Sequence, residues 1–178
     1  MALPDGQLDL FLSDVELSLS AYGRDQVVVV WPRGADLLVS SLAHATAGTP
    51  VAGSGRRPPE PALATRLAER FAVRLGAPVT AAWRALAGQP GGGRTPEVVY
   101  RTEWDTLLLT VRGALQLGVG PFDVDVHIRL PAGRERTGPL SLRLRTGEAV
   151  YAPRGFMCEM SAAAAPTLLL ELTLTGTG

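Results

Sequence analysis

In the C-terminal half of the chain, apolar residues recur at every second position. Phe122, Val124, Val126, Ile128 and Leu130 alternate with Asp123, Asp125, His127 and Arg129, and Leu140, Leu142 and Leu144 alternate with Ser141, Arg143 and Arg145. Leu168, Leu170, Leu172 and Leu174 close the chain in the same rhythm. Side chains of a strand point alternately to its two faces, whereas a helix repeats every 3.6 residues, so this half is expected to be all-β. Short alternating strands broken by Gly and Pro turns point to a sandwich or barrel.

The N-terminal half mixes signals. Ser13-x-x-Glu16 has capping-box spacing, which predicts a short helix from about Ser13 to Ala21 that ends near Gly23. Val27 to Trp31, reading VVVVW, reads as a buried strand, and Ala47 to Pro61, rich in Gly, Pro and Arg, as a loop. Leu63, Leu67, Phe71 and Leu75 then fall four apart with Arg66, Arg70 and Arg74 on another face, so a helix is expected there, stopped by Gly76 and packed on a sheet. Pro90 to Arg94 carries three consecutive glycines and reads as a flexible loop. No segment repeats at a fixed period.

With 178 residues, 46% of them hydrophobic, the chain is long enough for one domain with a sizeable core. We expect a single domain over residues 1–178, with helix and strand elements in 1–88 and barrel strands in 97–175. Basic and acidic residues balance at 17 each, so nothing marks a nucleic-acid partner. No run approaches the roughly 20 apolar residues of a membrane helix, the N-terminus lacks a signal core, and a lone Cys excludes an internal disulfide. The expectation is a cytoplasmic protein. Every basic residue is Arg and the sequence contains no Asn, which fits a GC-rich bacterial genome and leaves no Schiff-base lysine.

One motif is specific. In Gly147 to Cys158, GEAVYAPRGFMC, the residues Gly147, Pro153 and Gly155 follow a G-x5-P-x-G spacing. RLGAPVTAAWRAL (Arg74 to Leu86), EWDTLLLTVRGALQLGV (Glu103 to Val119, with Asp105 and Gly113 at matching positions) and TGEAVYAPRGFMCEM (Thr146 to Met160) together resemble the cupin domains of the JmjC-like, ribosomal-oxygenase type. The resemblance covers somewhat over half the chain. It implies a mainly β cupin barrel, a double-stranded β-helix, here with N-terminal α/β elements. In that family the barrel holds iron(II) and uses 2-oxoglutarate. Counting back from Gly113, the family's His-x-Asp falls on Tyr100 and Thr102, and its distal His on Cys158, so the metal triad is degenerate at all three positions.

The candidate residues carry more than one reading. Cys158 reads as a small apolar filler, or as a nucleophile or soft-metal ligand in the barrel mouth. Glu103, Asp125, His127 and Cys158 form an alternative metal set, in which Asp125 and His127 lie two apart on one strand face. Glu103 sits one residue past the expected carboxylate and, without a bulge, faces the other way. Arg112 and Arg154 can meet a carboxylate-bearing ligand, and Trp104, Phe156 and Met157 can wall a pocket. The Arg66, Arg70 and Arg74 stripe reads as a solvated face, or as a dock for an acidic peptide or protein. The reading that joins these is a non-catalytic cupin-fold binding or accessory protein without cofactor, taking a peptide, a protein partner or a small-molecule ligand and assisting a biosynthetic or peptide-modifying partner. A homodimer is implied by the resemblance. The alternative is an iron(II) and 2-oxoglutarate oxygenase or other cupin enzyme with a rearranged metal site, or one doing metal-free chemistry in the cavity, and a third reading is an effector-binding regulatory cupin.

Overall fold

The structure, a computed structural model, describes residues 5–22, 25–46, 55–57, 62–88, 96–121 and 140–176. Its elements run α1 (Asp5–Tyr22), β1 (Val28–Val30), α2 (Ala35–Ala45), β2 (Gly55–Arg57), α3 (Ala62–Leu75), β3 (Val79–Leu86), β4 (Val98–Arg101), β5 (Asp105–Arg112), β6 (Ala114–Pro121), β7 (Leu140–Arg145), β8 (Ala149–Ala152), β9 (Phe156–Ala162) and β10 (Thr167–Leu174). The strand expected over Phe122 to Leu130, with Asp125 and His127, lies outside the described residues.

Among the described residues, pairing of the last eight strands is nested. β6 pairs with β7, β5 with β8, β4 with β9 and β3 with β10, all antiparallel, as in one long hairpin rolled on itself. The contacts β5·β10 and β6·β9 complete two sheets, ordered β1-β8-β5-β10-β3-β2 and β4-β9-β6-β7. An eight-stranded roll of this kind is the jelly roll that cupins use. The fold is therefore a mainly β, cupin-type barrel, and its N-terminal segment adds one strand to each edge of the larger sheet.

Both faces of that larger sheet are covered, which explains why β5 and β10 read as continuous apolar runs. Leu107, Leu109 and Val111 of β5 and Leu168, Leu170 and Leu172 of β10 face the helices, in one core with Leu8, Phe11, Leu12, Val15, Leu38, Leu42, Leu67 and Phe71. Leu108 and Leu169 face the barrel interior, with Leu86, Leu115, Leu117, Leu144, Val150 and Met160. Along β10 the barrel-facing positions then change from Leu169 to Glu171 and Thr173. One end of the barrel is sealed by hydrocarbon; the other is polar. No helix among the described residues is long and apolar enough to cross a membrane.

Three expectations for the N-terminal half are corrected. The first helix starts at Asp5, not near Ser13, because its apolar stripe already includes Leu8, Phe11 and Leu12. Ser13 lies inside it, donates to the Asp9 carbonyl (2.8 Å) and caps nothing. Within Ala47 to Pro61, read as loop, Gly55–Arg57 form β2 and pair with β3, while the other residues of that stretch lie outside the described ones. A further helix, α2, buries Ala35, Leu38, Val39 and Leu42 where none was expected. The arginine stripe of α3 in part meets α1, with Arg70 at 3.4 Å from Asp9 and Arg74 at 3.0 Å from Glu16. Such partly exposed pairs contribute little to stability.

The turn between β5 and β6 depends on Gly113, whose φ is 86°. A Cβ there would lie 2.6 Å from Thr167 Oγ1 and 2.9 Å from the Pro166 carbonyl. Gly155 has a similar φ of 87°, but among the described residues a Cβ would meet only Arg101, at 3.6 Å. Gly155→Ala is therefore expected to cost only the left-handed backbone penalty, about 1–2 kcal/mol. Gly113→Ala should cost clearly more in urea unfolding, and equal costs would show that the β5–β6 turn is not packed against Pro166 and Thr167.

Candidate functional site

At the polar end of the barrel, strands of both sheets converge. Tyr100 on β4 and Cys158 on β9 are direct register partners. Both belong to the barrel interior, where Cys158 is fully buried and Tyr100 packs against the same core. Facing them from the larger sheet are Arg84 on β3 and Glu171 on β10. Arg84 donates from Nε (2.9 Å) and Nη2 (2.6 Å) to Glu171 Oε2, and its guanidinium carbon lies 4.6 Å from the centre of the Tyr100 ring. Side-chain exposure is 11% for Arg84 and 5% for Glu171, so this is a buried pair.

The pair shapes its surroundings. Burial, reinforced by the Glu171 carboxylate, pushes the Cys158 thiol up to about 12, against smaller opposing pulls from Arg84 and from a hydrogen bond with Tyr100. Nucleophilicity and metal affinity belong to the thiolate, so this sulfur is unreactive near neutral pH. Thr102, just past β4, is committed elsewhere. Its hydroxyl donates to the Pro153 carbonyl (2.6 Å) and accepts from the Phe156 N–H (2.9 Å). Its backbone pairs with Gly155 and Phe156 (2.8 Å each). Asp105 Oδ1 accepts from the Arg154 N–H (2.9 Å). The Pro153-x-Gly155 turn is thus stitched to the β4–β5 connection, and Thr102 and Asp105 are structural parts of that seam.

Above this cluster opens a cavity of about 430 Å³, lined by residues of β3, β4, β5 and β10 and of the β4–β5 connection, including Arg84, Tyr100, Thr102, Glu103 and Trp104. The other sequence candidates scatter. Arg154 stacks over Trp104 at 5.2 Å, at the rim. Phe156 packs into the barrel interior. Met157 alternates with the inward-facing Phe156 and Cys158, which places it on the outer face of the smaller sheet. Arg112 ends β5, at the end of that strand away from the cavity-lining Thr106. Of the alternative metal set, Glu103 is exposed at the cavity while Cys158 is buried, and Asp125 and His127 lie outside the described residues. Among the described residues, no three His, Cys, Asp or Glu side chains come together as a metal-binding group.

Sequence reasoning missed Arg84 and Glu171. A signal was there, since each is an isolated charge in an otherwise apolar strand, AAWRAL and LLLELTL, and the two are opposite in sign. A buried charge demands a partner.

No family model matches the sequence, and no curated protein matches it significantly. Among solved structures, the chain is similar to E. coli ycfD (18% identity, 64% of this chain and 30% of that one, TM-score 0.42). It is also similar to Streptomyces albus HEPD with 2-hydroxyethylphosphonate and Fe(II) bound (19% identity, 56% and 18%, TM-score 0.39) and to the Drosophila melanogaster CENP-C cupin domain (14% identity, 51% and 57%, TM-score 0.37). The chain spans less than a fifth of HEPD. These overlaps are partial, and the fold assignment rests on the nested strand pairing itself.

The thiol supplies a direct test. Native protein at pH 8 should resist iodoacetamide at Cys158 and be labelled promptly once unfolded in urea. Because the folded-state pKa is raised, its contribution is intact below the unfolded value near 8.5 and is lost as pH climbs toward 12. Unfolding free energy should fall above pH 9, by up to about 1.4 kcal/mol per unit from this group, and Cys158→Ala should flatten that slope. Rapid labelling of folded protein would contradict the buried placement.

Proposed function

We propose that this chain is a non-catalytic cupin-fold binding or accessory protein, descended from a JmjC-like, ribosomal-oxygenase-type ancestor whose iron site has been given up. The observation that carries the reading is the buried Arg84–Glu171 pair packed against Tyr100 and Cys158, in the barrel interior where the resemblance puts two of the iron ligands.

The residues present do not fit the implied cofactors. A facial triad needs two imidazoles and one carboxylate with open positions beside them. Here the three positions offer a phenol under a guanidinium, a thiol held protonated, and a hydroxyl that donates to Pro153 and accepts from Phe156 in the Pro153-x-Gly155 turn. The dianion 2-oxoglutarate requires a net positive site, and in this cavity Arg84 is neutralised by Glu171 while Arg101 is offset by Glu103. What this arrangement retains is a shaped polar cavity at the barrel mouth and a rigid frame around it. We place it in the cytoplasm, serving a small-molecule ligand or a peptide or protein partner, as a homodimer.

Metal analysis combined with ligand binding tests this. Protein purified from iron-supplemented cells should contain well under one equivalent of iron, nickel, zinc or manganese, unchanged by Cys158→Ala, and 2-oxoglutarate should not raise its melting temperature. Binding to the native state must raise stability, so saturable stabilisation by 2-oxoglutarate, or stoichiometric metal that Cys158→Ala removes, would overturn the reading in favour of an oxygenase.

A further inference from the structure

Across the floor of the mouth cavity, threonines stand in a row on three neighbouring strands. Thr80 on β3 is the register partner of Thr173 on β10, and Thr173 is the partner of Thr106 on β5. All three line the cavity. Neighbouring strands lie about 4.8 Å apart, so the row offers hydroxyl-bearing side chains at that interval, the Thr106 hydroxyl as an acceptor because it donates to the Trp104 carbonyl (2.9 Å).

The middle position stands out. Thr173 is 8% exposed, and its buried Oγ1 has no hydrogen-bond partner among the described residues. Native structures leave few buried polar atoms in that condition. A threonine has three staggered χ1 wells, so a rotation that brought this hydroxyl to a ligand would form a hydrogen bond without breaking one.

The rest of the lining narrows the ligand. Every described residue that walls the cavity carries a polar group, five of them being threonines, and none of these is aliphatic. Its charges cancel, Arg84 and Arg101 against Glu103 and Glu171. The hydrogen bonds Arg84 makes among the described residues leave from Nε and Nη2 to Glu171, so Nη1 keeps its N–H donors. An anion reaching Arg84 meets the Glu171 carboxylate, and a cation reaching Glu171 meets the guanidinium. Groups that donate and accept at one atom suit such a wall best, and those are hydroxyls.

We infer that the barrel mouth binds a small, uncharged, polyhydroxylated molecule, an aldose or a cyclitol, with its hydroxyls on the Thr80–Thr173–Thr106 row and on Nη1 of Arg84. This rests on the binding reading above and names the ligand class for it. The volume, about 430 Å³, lies within the roughly 300–1,000 Å³ of small-molecule sites.

Sugars stabilise most proteins by exclusion from their surfaces, so melting temperature is a poor readout here. Nitrogen-15 labelled protein should instead be titrated separately with D-glucose, D-galactose, D-mannose and D-ribose, with myo-inositol, and with 2-oxoglutarate and L-glutamate as charged comparators. The expected result is saturable shifts of the Trp104 indole and the Thr106 and Thr173 amides with one neutral arm, aldose or cyclitol, which identifies the source. Thr173→Val and Thr80→Val should each weaken that binding about three- to tenfold, the loss of one hydrogen bond. Thr173→Val should melt no lower than the parent, since it breaks no existing hydrogen bond. The inference is overturned if no neutral polyol saturates these signals, if only a charged comparator does, or if both variants bind like the parent. Saturation by L-glutamate alone would remove the polyol and leave the binding reading standing, whereas stoichiometric metal would remove that reading whatever the sugars do.

Discussion

A guanidinium and a carboxylate taken out of water carry a desolvation cost of several kcal/mol each, repaid only by close pairing and further hydrogen bonds. Arg84 and Glu171 meet that condition, with two hydrogen bonds to one carboxylate oxygen and the face of Tyr100 against the guanidinium. The arrangement of the barrel mouth depends on this pair. It spans β3 and β10 and reaches across to the smaller sheet through Tyr100. Its carboxylate helps to keep Cys158 protonated, and its balance of charge makes the mouth neutral. Removing either partner leaves a bare charge facing a thiol and a phenol ring.

The pair can sit there because the larger sheet is held from both sides. Helices α1, α2 and α3 bury Leu, Val and Phe side chains against one face, and the barrel core fills the other as far as Leu108 and Leu169. Beyond those leucines, the barrel-facing positions of β10 turn to Glu171 and then Thr173. A single strand thus carries the gradient from sealed hydrocarbon to open cavity. The Pro153-x-Gly155 turn, tied down by Thr102 and Asp105, supplies a fixed rim.

Period-two patterning exposed the β architecture, since a strand with one wet face must alternate. It was least informative where both faces are buried, because DTLLLTVR and TLLLELTL are apolar for two different reasons at once. There the informative residues were the exceptions, Glu171 in β10 and Arg84 in β3, and pairing them required knowing that β3 and β10 are neighbours. Ser13-x-x-Glu16 misled because capping-box spacing also occurs inside a helix, where the hydroxyl bonds to the carbonyl four residues back. Thr102 could be placed at a ligand position by counting, but not its hydrogen bonds to Pro153 and Phe156, which depend on a turn some fifty residues away.

The barrel interior is organised around one neutralised ion pair. A double-mutant cycle on that pair, read by urea unfolding, tests this most directly. Glu171→Leu and Arg84→Met should each lose about 3–5 kcal/mol, because each strands a buried charge, and the double variant should lie closer to the parent than either single. Two small and additive losses would mean that the charges are solvated rather than paired, and the account of the mouth would fail with them.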